Sequence, residues 1–248
     1  MKKLLIGCLL FITACQPAAT PTPIAPLFPT ATIPAAPTAI PVTDTPQATP
    51  TLELTSTPLP RLFTDEFDSS LAGWVILQAG NETVPNVKTE NSTLILQMDS
   101  PFTWAYAIYG AQDYEDIRVD AQVTNQGGSP ASAGLICRYS EADGWLEYNV
   151  STDGTYNVLY GKWLSSGIAD YLPILSASSN AVQPSGTPQE IGLICSETTL
   201  SLFLNQTLIR RVDVSSYKPV TGKVGIATSS YENTPIIAAF GWVKVSEP

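Results

Sequence analysis

The chain has 248 residues, no histidine, and 22 acidic against 12 basic side chains, which gives a formal net charge of −10. Such an acidic chain lacks the basic surface of a nucleic-acid-binding protein, so we expect no nucleic-acid partner. The lack of histidine excludes Ser-His-Asp and Cys-His nucleophile systems and an imidazole general base. Charged residues make up only 14% of the chain, which favours an ordered β-rich domain joined to a segment of low complexity.

Residues 1–14 have the pattern of a secretory signal peptide. Lys2 and Lys3 precede an apolar run of 11 residues, which is too short to cross a membrane as a helix. The run ends in Ile-Thr-Ala before Cys15, and this ending resembles the bacterial lipoprotein signal. The resemblance implies that Cys15 becomes the first residue after cleavage and carries lipid. The protein would then be anchored in the cell membrane and face the extracytoplasmic side, whereas an ordinary signal peptide with a chance cysteine is the alternative.

Residues 15–60 form the predicted linker. From Gln16 to Pro60 the chain contains 12 Pro, 11 Thr and 8 Ala. Such a segment cannot bury enough apolar surface to offset its ordering entropy, so we expect it to be disordered with a preference for polyproline II. It would act as a stalk with a reach of up to about 140 Å, or as a passive tether.

Residues 61–248 form the predicted globular domain, in which no window shows a sustained helical period. Several windows alternate with a period of two, which is typical of half-buried strands. In chain order these windows are 93–98, 115–124, 132–139, 144–151, 155–162, 189–196, 200–205, 222–228 and 236–245. About a dozen strands separated by turns predict an all-β, two-sheet antiparallel sandwich without a helix.

Short motifs along this domain resemble concanavalin A-like jelly rolls, most closely the laminin-G-like and 3-keto-disaccharide hydrolase-type domains of bacterial surface lipoproteins. The motifs are FTDEFD at 63–68 with GW at 73–74, GLICRY at 134–139, LSLFLN at 200–205, GKVGI at 222–226 and FGWVKV at 240–245. Gln206 stands where these relatives usually have a turn glycine. We therefore expect Asn205 to adopt the left-handed conformation itself.

Two cysteines remain in the domain, and both follow the same three residues. Cys137 and Cys195 each end a Gly-Leu-Ile-Cys tetrapeptide on a predicted strand. An exported compartment is oxidising, so we predict a disulfide between them. Two buried free thiols are the alternative, since cysteine packs well as a small apolar group.

The acidic residues do not form the pattern of a glycosidase. Glycosidases that share this resemblance carry Glu-x-Asp-x-(x)-Glu on one strand, because the chemistry needs two carboxyl groups that face one sugar bond. The nearest run is Asp113-Tyr-Glu115-Asp116, which precedes its strand and lacks the third acid. We therefore expect no enzyme activity, with a glycoside hydrolase as the less favoured alternative. Asp113, Glu115 and Asp143 are candidate calcium ligands, but nothing matches an EF-hand, and we predict no metal or other cofactor.

Alternation predicts a polar face with tryptophans beside it. If the strands adjoin in one sheet, this face collects Asp120, Gln122, Arg138, Trp145, Glu147, Asn149, Asn157 and Trp163. An exposed ring that stacks on a sugar, with amides and an arginine that read its hydroxyls, predicts a carbohydrate site. The alternatives are a solvated sheet, with Arg138 paired to Glu147 or Asp120, and a module that binds another envelope protein. Trp74, Trp104 and Trp242 are expected in the core, as are Tyr148, Tyr156 and Tyr160.

Overall fold

A computed structural model describes residues 59–248, and all regular secondary structure in that part of the chain is β-strand. The predicted signal peptide, the lipidation at Cys15 and nearly all of the predicted linker lie outside the described residues. Within residues 59–248 there is no helix of the length and hydrophobicity that a membrane crossing requires.

Fifteen strands follow one another along the described chain. They are β1 (Phe63–Asp65), β2 (Trp74–Gly80), β3 (Asn86–Thr89), β4 (Leu94–Met98), β5 (Thr103–Tyr114), β6 (Ile117–Asn125), β7 (Ser132–Ser140), β8 (Gly144–Ser151), β9 (Thr155–Ser165), β10 (Ile168–Ser178), β11 (Gln189–Ser196), β12 (Thr199–Leu204), β13 (Thr207–Asp213), β14 (Gly222–Ser229) and β15 (Ile236–Ser246). Each strand predicted from alternation is present, with bounds shifted by a few residues at most. Six strands fall outside the predicted windows, namely β1, β2, β3, β5, β10 and β13, and β5 and β10 are the longest of them.

The two longest of these strands, β5 and β10, lack a clean alternation for physical reasons. Both faces of β5 are buried over most of its length, so apolar residues follow one another without a polar partner. Strand β10 lies at the edge of its sheet and contains Pro173 at a register shift. An edge strand tolerates proline there, because the missing N–H faces no neighbouring strand.

The strands form two antiparallel sheets. Sheet A has the order β13-β12-β11-β6-β15-β4-β3, with β1 paired to β15, and sheet B has the order β10-β9-β8-β7-β14-β5-β2. Neighbours in sheet A are often far apart in the chain, since β6 lies between β11 and β15. The predicted all-β, two-sheet jelly-roll sandwich is confirmed.

The core lies between the two sheets and follows the predicted alternation. In β6 every second side chain from Ile117 to Val123 is buried against sheet B, while Arg118, Asp120 and Gln122 face outward. Tyr148 and Tyr156 from sheet B are buried in the same core, and Tyr160 packs against it. Each Å² of apolar surface that this core removes from water contributes about 25 cal/mol to the stability of the fold. Because both sheets and their core lie within residues 59–248, we expect this part of the chain to fold on its own.

The predicted disulfide is confirmed and joins the two sheets. Cys137 on β7 in sheet B is bonded to Cys195 on β11 in sheet A, with the Cα atoms 6.6 Å apart. Both sulfur-bearing side chains are fully buried in the core. The bond therefore fastens the sandwich from inside and closes a loop with a sequence separation of 58.

The β12–β13 turn has the predicted left-handed backbone at Asn205, whose φ is 47°. Gln206 is also left-handed, with φ of 64°. Two consecutive residues with positive φ make the tight hairpin turn that usually contains glycine at its second position. Gln206 therefore carries backbone strain that a glycine would not.

Candidate functional site

The predicted polar face is divided between the two sheets, which corrects the assumption that its strands adjoin. Asp120 and Gln122 lie on β6 in sheet A, whereas the other predicted residues lie on β7, β8 and β9 in sheet B. Asp120 accepts two hydrogen bonds from Arg118, at 2.7 and 2.8 Å. Strand β6 pairs with β11 and β15 and never with β7, so its outward side chains lie on the opposite surface of the sandwich.

Arg138 is also not part of an outer polar face. It is buried at one end of the sandwich, with φ of 56° at a register shift in β7. Its guanidinium donates to the backbone oxygens of Glu115 and Pro219 and lies 3.6 Å from the Asp116 carboxylate. Burial lowers the pKa of Arg138, although the nearby Asp116 opposes this. Arg138 therefore ties loops together and pairs with neither Glu147 nor Asp120.

The outer face of sheet B carries a second cluster of apolar and aromatic side chains, apart from the main core. Trp145 lies on this face as predicted from alternation, but its exposed fraction is 0%, so the expected exposed ring is wrong. The cluster consists of Ala79, Tyr106, Ile108, Ile136, Tyr139, Trp145 and Ala227, with Leu77, Trp104, Trp163, Ala169 and Tyr171 packed against it. We call this set the outer cluster.

The β9–β10 hairpin covers the outer cluster, because it curls across the face until the two edges of sheet B meet. The backbone N–H of Gly80 on β2 donates to the oxygen of Gly167 in the hairpin turn, at 3.1 Å. Tyr171 on β10 stacks on Trp104 of β5 with ring centroids 5.1 Å apart. The hydroxyls of Tyr106 and Tyr171 are hydrogen-bonded to each other. Strands β5 and β10 are far apart in the sheet order, so these contacts require a strongly curled sheet.

A glycine makes room for the largest side chain under the hairpin. Gly161 on β9 is the register partner of Trp145. A Cβ added at this glycine would lie 2.3 Å from the indole ring, which is closer than any real contact. Gly161 is therefore required so that the indole can lie flat between the sheet and the hairpin.

Glu147 is a carboxyl group buried at the centre of this face, with an exposed fraction of 0%. It accepts hydrogen bonds from the indole N–H of Trp145 and the amide of Asn149, both at 2.8 Å. Burial raises the pKa of Glu147, and the two hydrogen bonds oppose that shift. Burial raises the pKa of Tyr106 and of Tyr171, and the carboxyl group of Glu147 adds to both shifts.

Three polar atoms on the outer face of sheet B are buried without a hydrogen-bond partner among the described residues. They are Oδ1 of Asn149 and the hydroxyls of Ser132 and Ser151. Ser132 and Ser151 are register partners on β7 and β8, and Asn149 lies two residues before Ser151. A Cβ on Gly134, opposite Asn149, would lie 2.2 Å from the unpaired Oδ1. Each unpaired buried polar group costs about 1–3 kcal/mol, so three in one region call for an explanation.

A groove of about 890 Å³ lies between the tip of the hairpin and β2. We call it the tip groove. Its walls include the half-buried indole of Trp163 and the phenol of Tyr139, and the indole N–H donates to the Tyr139 hydroxyl at 3.0 Å. Its polar lining residues are Gln78, Asn81, Glu82, Glu141, Ser165 and Ser166. A smaller hollow of about 490 Å³ shares Leu77, Tyr139 and Glu141 with it, so the two follow one side of sheet B.

The candidate calcium ligands are not brought together. Asp113 forms an ion pair with Lys223 at 3.3 Å, and the backbone oxygen of Asp143 accepts from the Tyr160 hydroxyl. In the part of the chain that the structure describes, no three acidic or cysteine side chains are close enough to hold a metal ion. Asp116, from the run nearest to a glycosidase motif, accepts from Ser196 and the backbone of Glu197 and so has a local structural role.

Comparison with known proteins identifies the fold. No protein-family model matches the chain, and no curated protein matches it either. It is similar to a β-glucanase of Bacillus licheniformis, with a TM-score of 0.53 and 12% identity over 75% of this chain and 98% of that one. It is also similar to a carbohydrate-binding module from Bacillus subtilis, with a TM-score of 0.50 and 13% identity over 68% of this chain and 91% of that one. The fold is the concanavalin A-like jelly roll. At these identities the likeness shows the fold alone.

Within this jelly roll, strand β8 shows how the outer face differs from a row of acids. Trp145, Glu147 and Asn149 occupy alternate positions of β8 on the outer face. Only the middle one is a carboxyl group, whereas the glycosidase pattern has acids at alternate positions of one strand. Asn157, on the neighbouring β9, lies opposite Asn149 and accepts a hydrogen bond from its amide at 3.3 Å. The polar part of this face is therefore mostly amide and hydroxyl.

Several residues of this region were missed by sequence reasoning. Tyr106 and Trp104 lie on the unpredicted β5, and Tyr171 lies on the unpredicted β10. Trp104 was expected in the core but is half-buried in the outer cluster. Trp242 was also expected in the core, but it lies half-buried on sheet A as the register partner of Gln122. Trp74 is in the core as expected. The signal available was the density of aromatic residues in 104–109 and 160–171.

Proposed function

We propose that this chain is a lipid-anchored surface protein with a non-catalytic, carbohydrate-binding jelly-roll domain. The ligand lies in the tip groove. One observation carries the proposal: the groove joins an indole and a phenol to amides, hydroxyls and carboxylates in a volume of about 890 Å³. Aromatic rings stack on the apolar face of a sugar, while planar polar groups bond to its hydroxyls.

The comparisons support the class of ligand without naming it. The structures that share the fold include a β-glucanase and a carbohydrate-binding module, so this architecture presents surfaces that contact saccharides in those proteins. Anchoring at Cys15 and a spacer over residues 15–60 would hold the domain on the extracytoplasmic side of the membrane. The acidic domain has no basic surface to attract anionic lipid, so the lipid alone would supply attachment.

The buried state of Glu147 supports a role without catalysis. A glycosidase needs a pair of carboxyl groups about 5–10 Å apart across one sugar bond. Glu147 is the one buried acid in residues 59–248, and its two oxygens already accept from Trp145 and Asn149. Glu82 and Glu141 line the tip groove but are exposed to solvent. We assign them to binding, as acceptors for ligand hydroxyls.

The test is binding of residues 59–248 to an array of immobilised glycans, with calcium and with a chelator. We expect at least one saccharide to bind equally under both conditions and to remain uncleaved. Trp163→Ala should then weaken binding at least ten-fold, because the stacking ring is lost. Trp242→Ala is the matched control, since it removes a half-buried indole from sheet A, and it should leave affinity unchanged. A folded domain that binds no glycan, or equal loss in both variants, overturns the proposal.

A second candidate is supported by the apolar rim of the groove. Leu164 and Ile168 on the hairpin, 66% and 56% exposed, and the exposed Ile76 on β2 line the tip groove. Leu172 on β10 and Val75 on β2 are exposed as well. Exposed apolar side chains grouped in one region favour contact with a protein. If no glycan binds, an adhesive module that contacts an envelope protein through this rim is the better interpretation. Cross-linking on intact cells, with and without Leu164→Asp, would then capture the partner only with the unaltered rim.

A further inference from the structure

We propose that the distal part of the β9–β10 hairpin is a lid. Its opening extends the tip groove onto the part of the outer face that carries Glu147 and Asn149. This inference rests on the proposed function, because it concerns access to the same ligand site. The lid consists of residues 162–170. Residues outside this range pair with the rest of sheet B, whereas those within it pair only with each other.

The two strands of the lid have no third strand of the described chain in register beside them. The last register pair between β8 and β9 joins Trp145 to Gly161. Beyond it, Lys162 pairs with Asp170 and Trp163 pairs with Ala169, and no third strand borders them. An isolated two-stranded hairpin is marginally stable in water. The lid must therefore be held down by its contacts with the face beneath it.

Trp163 of the lid packs on Trp145 and Tyr106, with ring centroids 5.2 and 6.1 Å apart, and three hydrogen bonds add to this packing. The backbone of Gly80 donates to Gly167, and the indole of Trp163 donates to the hydroxyl of Tyr139 at 3.0 Å. The third, between the hydroxyls of Tyr106 and Tyr171, is made by the residue that directly follows the lid. We call these three hydrogen bonds the latch. A latch of this size permits opening on the scale of local unfolding, while the core between the sheets stays closed.

The same outer face of sheet B, on which Trp145 lies under the lid, has hydrogen-bonding capacity that the described residues do not use. Asn149 Oδ1 and the hydroxyls of Ser132 and Ser151 are buried without partners on β7 and β8. Two hydroxyls and an amide oxygen together accept and donate, so they complement a ligand that carries several hydroxyl groups. The single carboxyl group here, on Glu147, is already bonded to Trp145 and Asn149. The complementary ligand is therefore an uncharged saccharide unit.

The tip groove and the latch share two residues. Trp163 and Tyr139 line the groove, and their mutual hydrogen bond is part of the latch. A saccharide that bonds to the indole N–H or the phenol competes with that contact. Binding therefore shifts the equilibrium toward the open lid by the ratio of the ligand's affinities for the open and closed states. This ratio couples occupancy of the groove to access to Asn149.

A pair of cysteine substitutions on the two sides of sheet B tests the opening without a ligand. Ala227 on β14 is fully buried in the outer cluster, and Ala107 on the neighbouring β5 is fully buried in the main core. In the domain of residues 59–248 with its disulfide intact, we expect a thiol reagent to label Ala227→Cys at least ten times faster than Ala107→Cys. Labelling of the second site requires global unfolding, whereas labelling of the first requires only an open lid.

The latch is tested by adding Tyr171→Phe to each cysteine variant. Loss of one hydrogen bond should raise the open population, and the labelling rate at position 227, about two- to ten-fold. The matched control is Tyr160→Phe, which also removes a hydroxyl hydrogen bond from the hairpin, at 2.6 Å to the oxygen of Asp143, on the opposite face. It should leave labelling at position 227 unchanged. The backbone hydrogen-exchange rates of residues 162–170, compared with those of β11, give the same comparison without a new cysteine.

The outcomes separate the lid from the proposed function. Equal labelling at the two positions, or no effect of Tyr171→Phe, overturns the lid even if a glycan binds. An opening lid in a domain that binds no glycan overturns the proposed function and retains the lid. Where a glycan binds, Tyr171→Phe should tighten its affinity by the same factor that it raises labelling. Unchanged or weaker affinity overturns the coupling between lid and ligand.

Discussion

Removal of the Cys137–Cys195 bond should cost the domain about 4 kcal/mol of stability. The bond closes a loop with a sequence separation of 58, and in the chain-entropy model a loop of this length restricts the unfolded chain by that amount at 25 °C. For a domain of this size, each kcal/mol lowers the melting temperature by about 2–4 °C. We therefore expect the reduced domain to melt about 8–16 °C below the oxidised one.

The assay is urea unfolding of residues 59–248, followed by circular dichroism, with and without a reductant. Comparison of the oxidised and reduced wild type isolates the cross-link, because both sulfur atoms stay in the core. The double variant Cys137→Ala/Cys195→Ala should be less stable still, since it also leaves a small cavity at two fully buried sites. A difference below about 1 kcal/mol between the oxidised and reduced forms would show that the unfolded chain is already compact, and would refute the entropic reasoning.

Three further substitutions test individual contacts. Glu147→Gln should stabilise the domain more at pH 8 than at pH 4. Burial raises the pKa of Glu147 in the folded state, so the stability of the wild type falls as the pH rises above the pKa of the unfolded state, about 4.3. Urea midpoints at both pH values measure this difference, and Glu141→Gln, at an exposed position, is the control. Arg138→Ala should destabilise the domain by about 1–3 kcal/mol, because the hydrogen bonds of the guanidinium are lost. Arg138→Gly should cost about 1 kcal/mol less, because glycine adopts the positive φ at this position without strain. Equal losses for the two variants would show that the backbone at position 138 is not strained. Gln206→Gly should raise stability by about 1 kcal/mol in thermal unfolding, and a loss instead would show that its exposed hydrogen bond to Glu190 outweighs the relief of strain.

The alternation within each strand predicted side-chain faces well. On β8 it placed Trp145, Glu147 and Asn149 on one side and Tyr148 on the other, and the structure agrees. This success is physical, because successive side chains of a strand point to opposite faces whatever the strand pairs with. The turn at Asn205 was predictable for the same reason, since φ is a local property.

The candidate site was less predictable, because it depends on contacts between distant parts of the chain. The assumption that β6 adjoins β7 failed, since β6 pairs with strands about 70 and 120 residues further along. The burial of Trp145 was also unforeseen, because an outward side chain is normally exposed. It is covered only because a hairpin some 20 residues later curls back over it.

The order of residues along the chain was enough to predict the class of the fold, most of the strands and a disulfide between its two cysteines. These follow from local chemistry: a period of two, glycine-rich turns, and two identical tetrapeptides on strands. Which sheet each strand joins, and which faces are open, could be read only from the folded chain. Sheet membership depends on hydrogen bonds between remote segments, and the exposure of Trp163, Trp145 and Glu147 depends on where one hairpin lies. Alternation tells which way a side chain points, but only the packing of distant strands sets what it meets there.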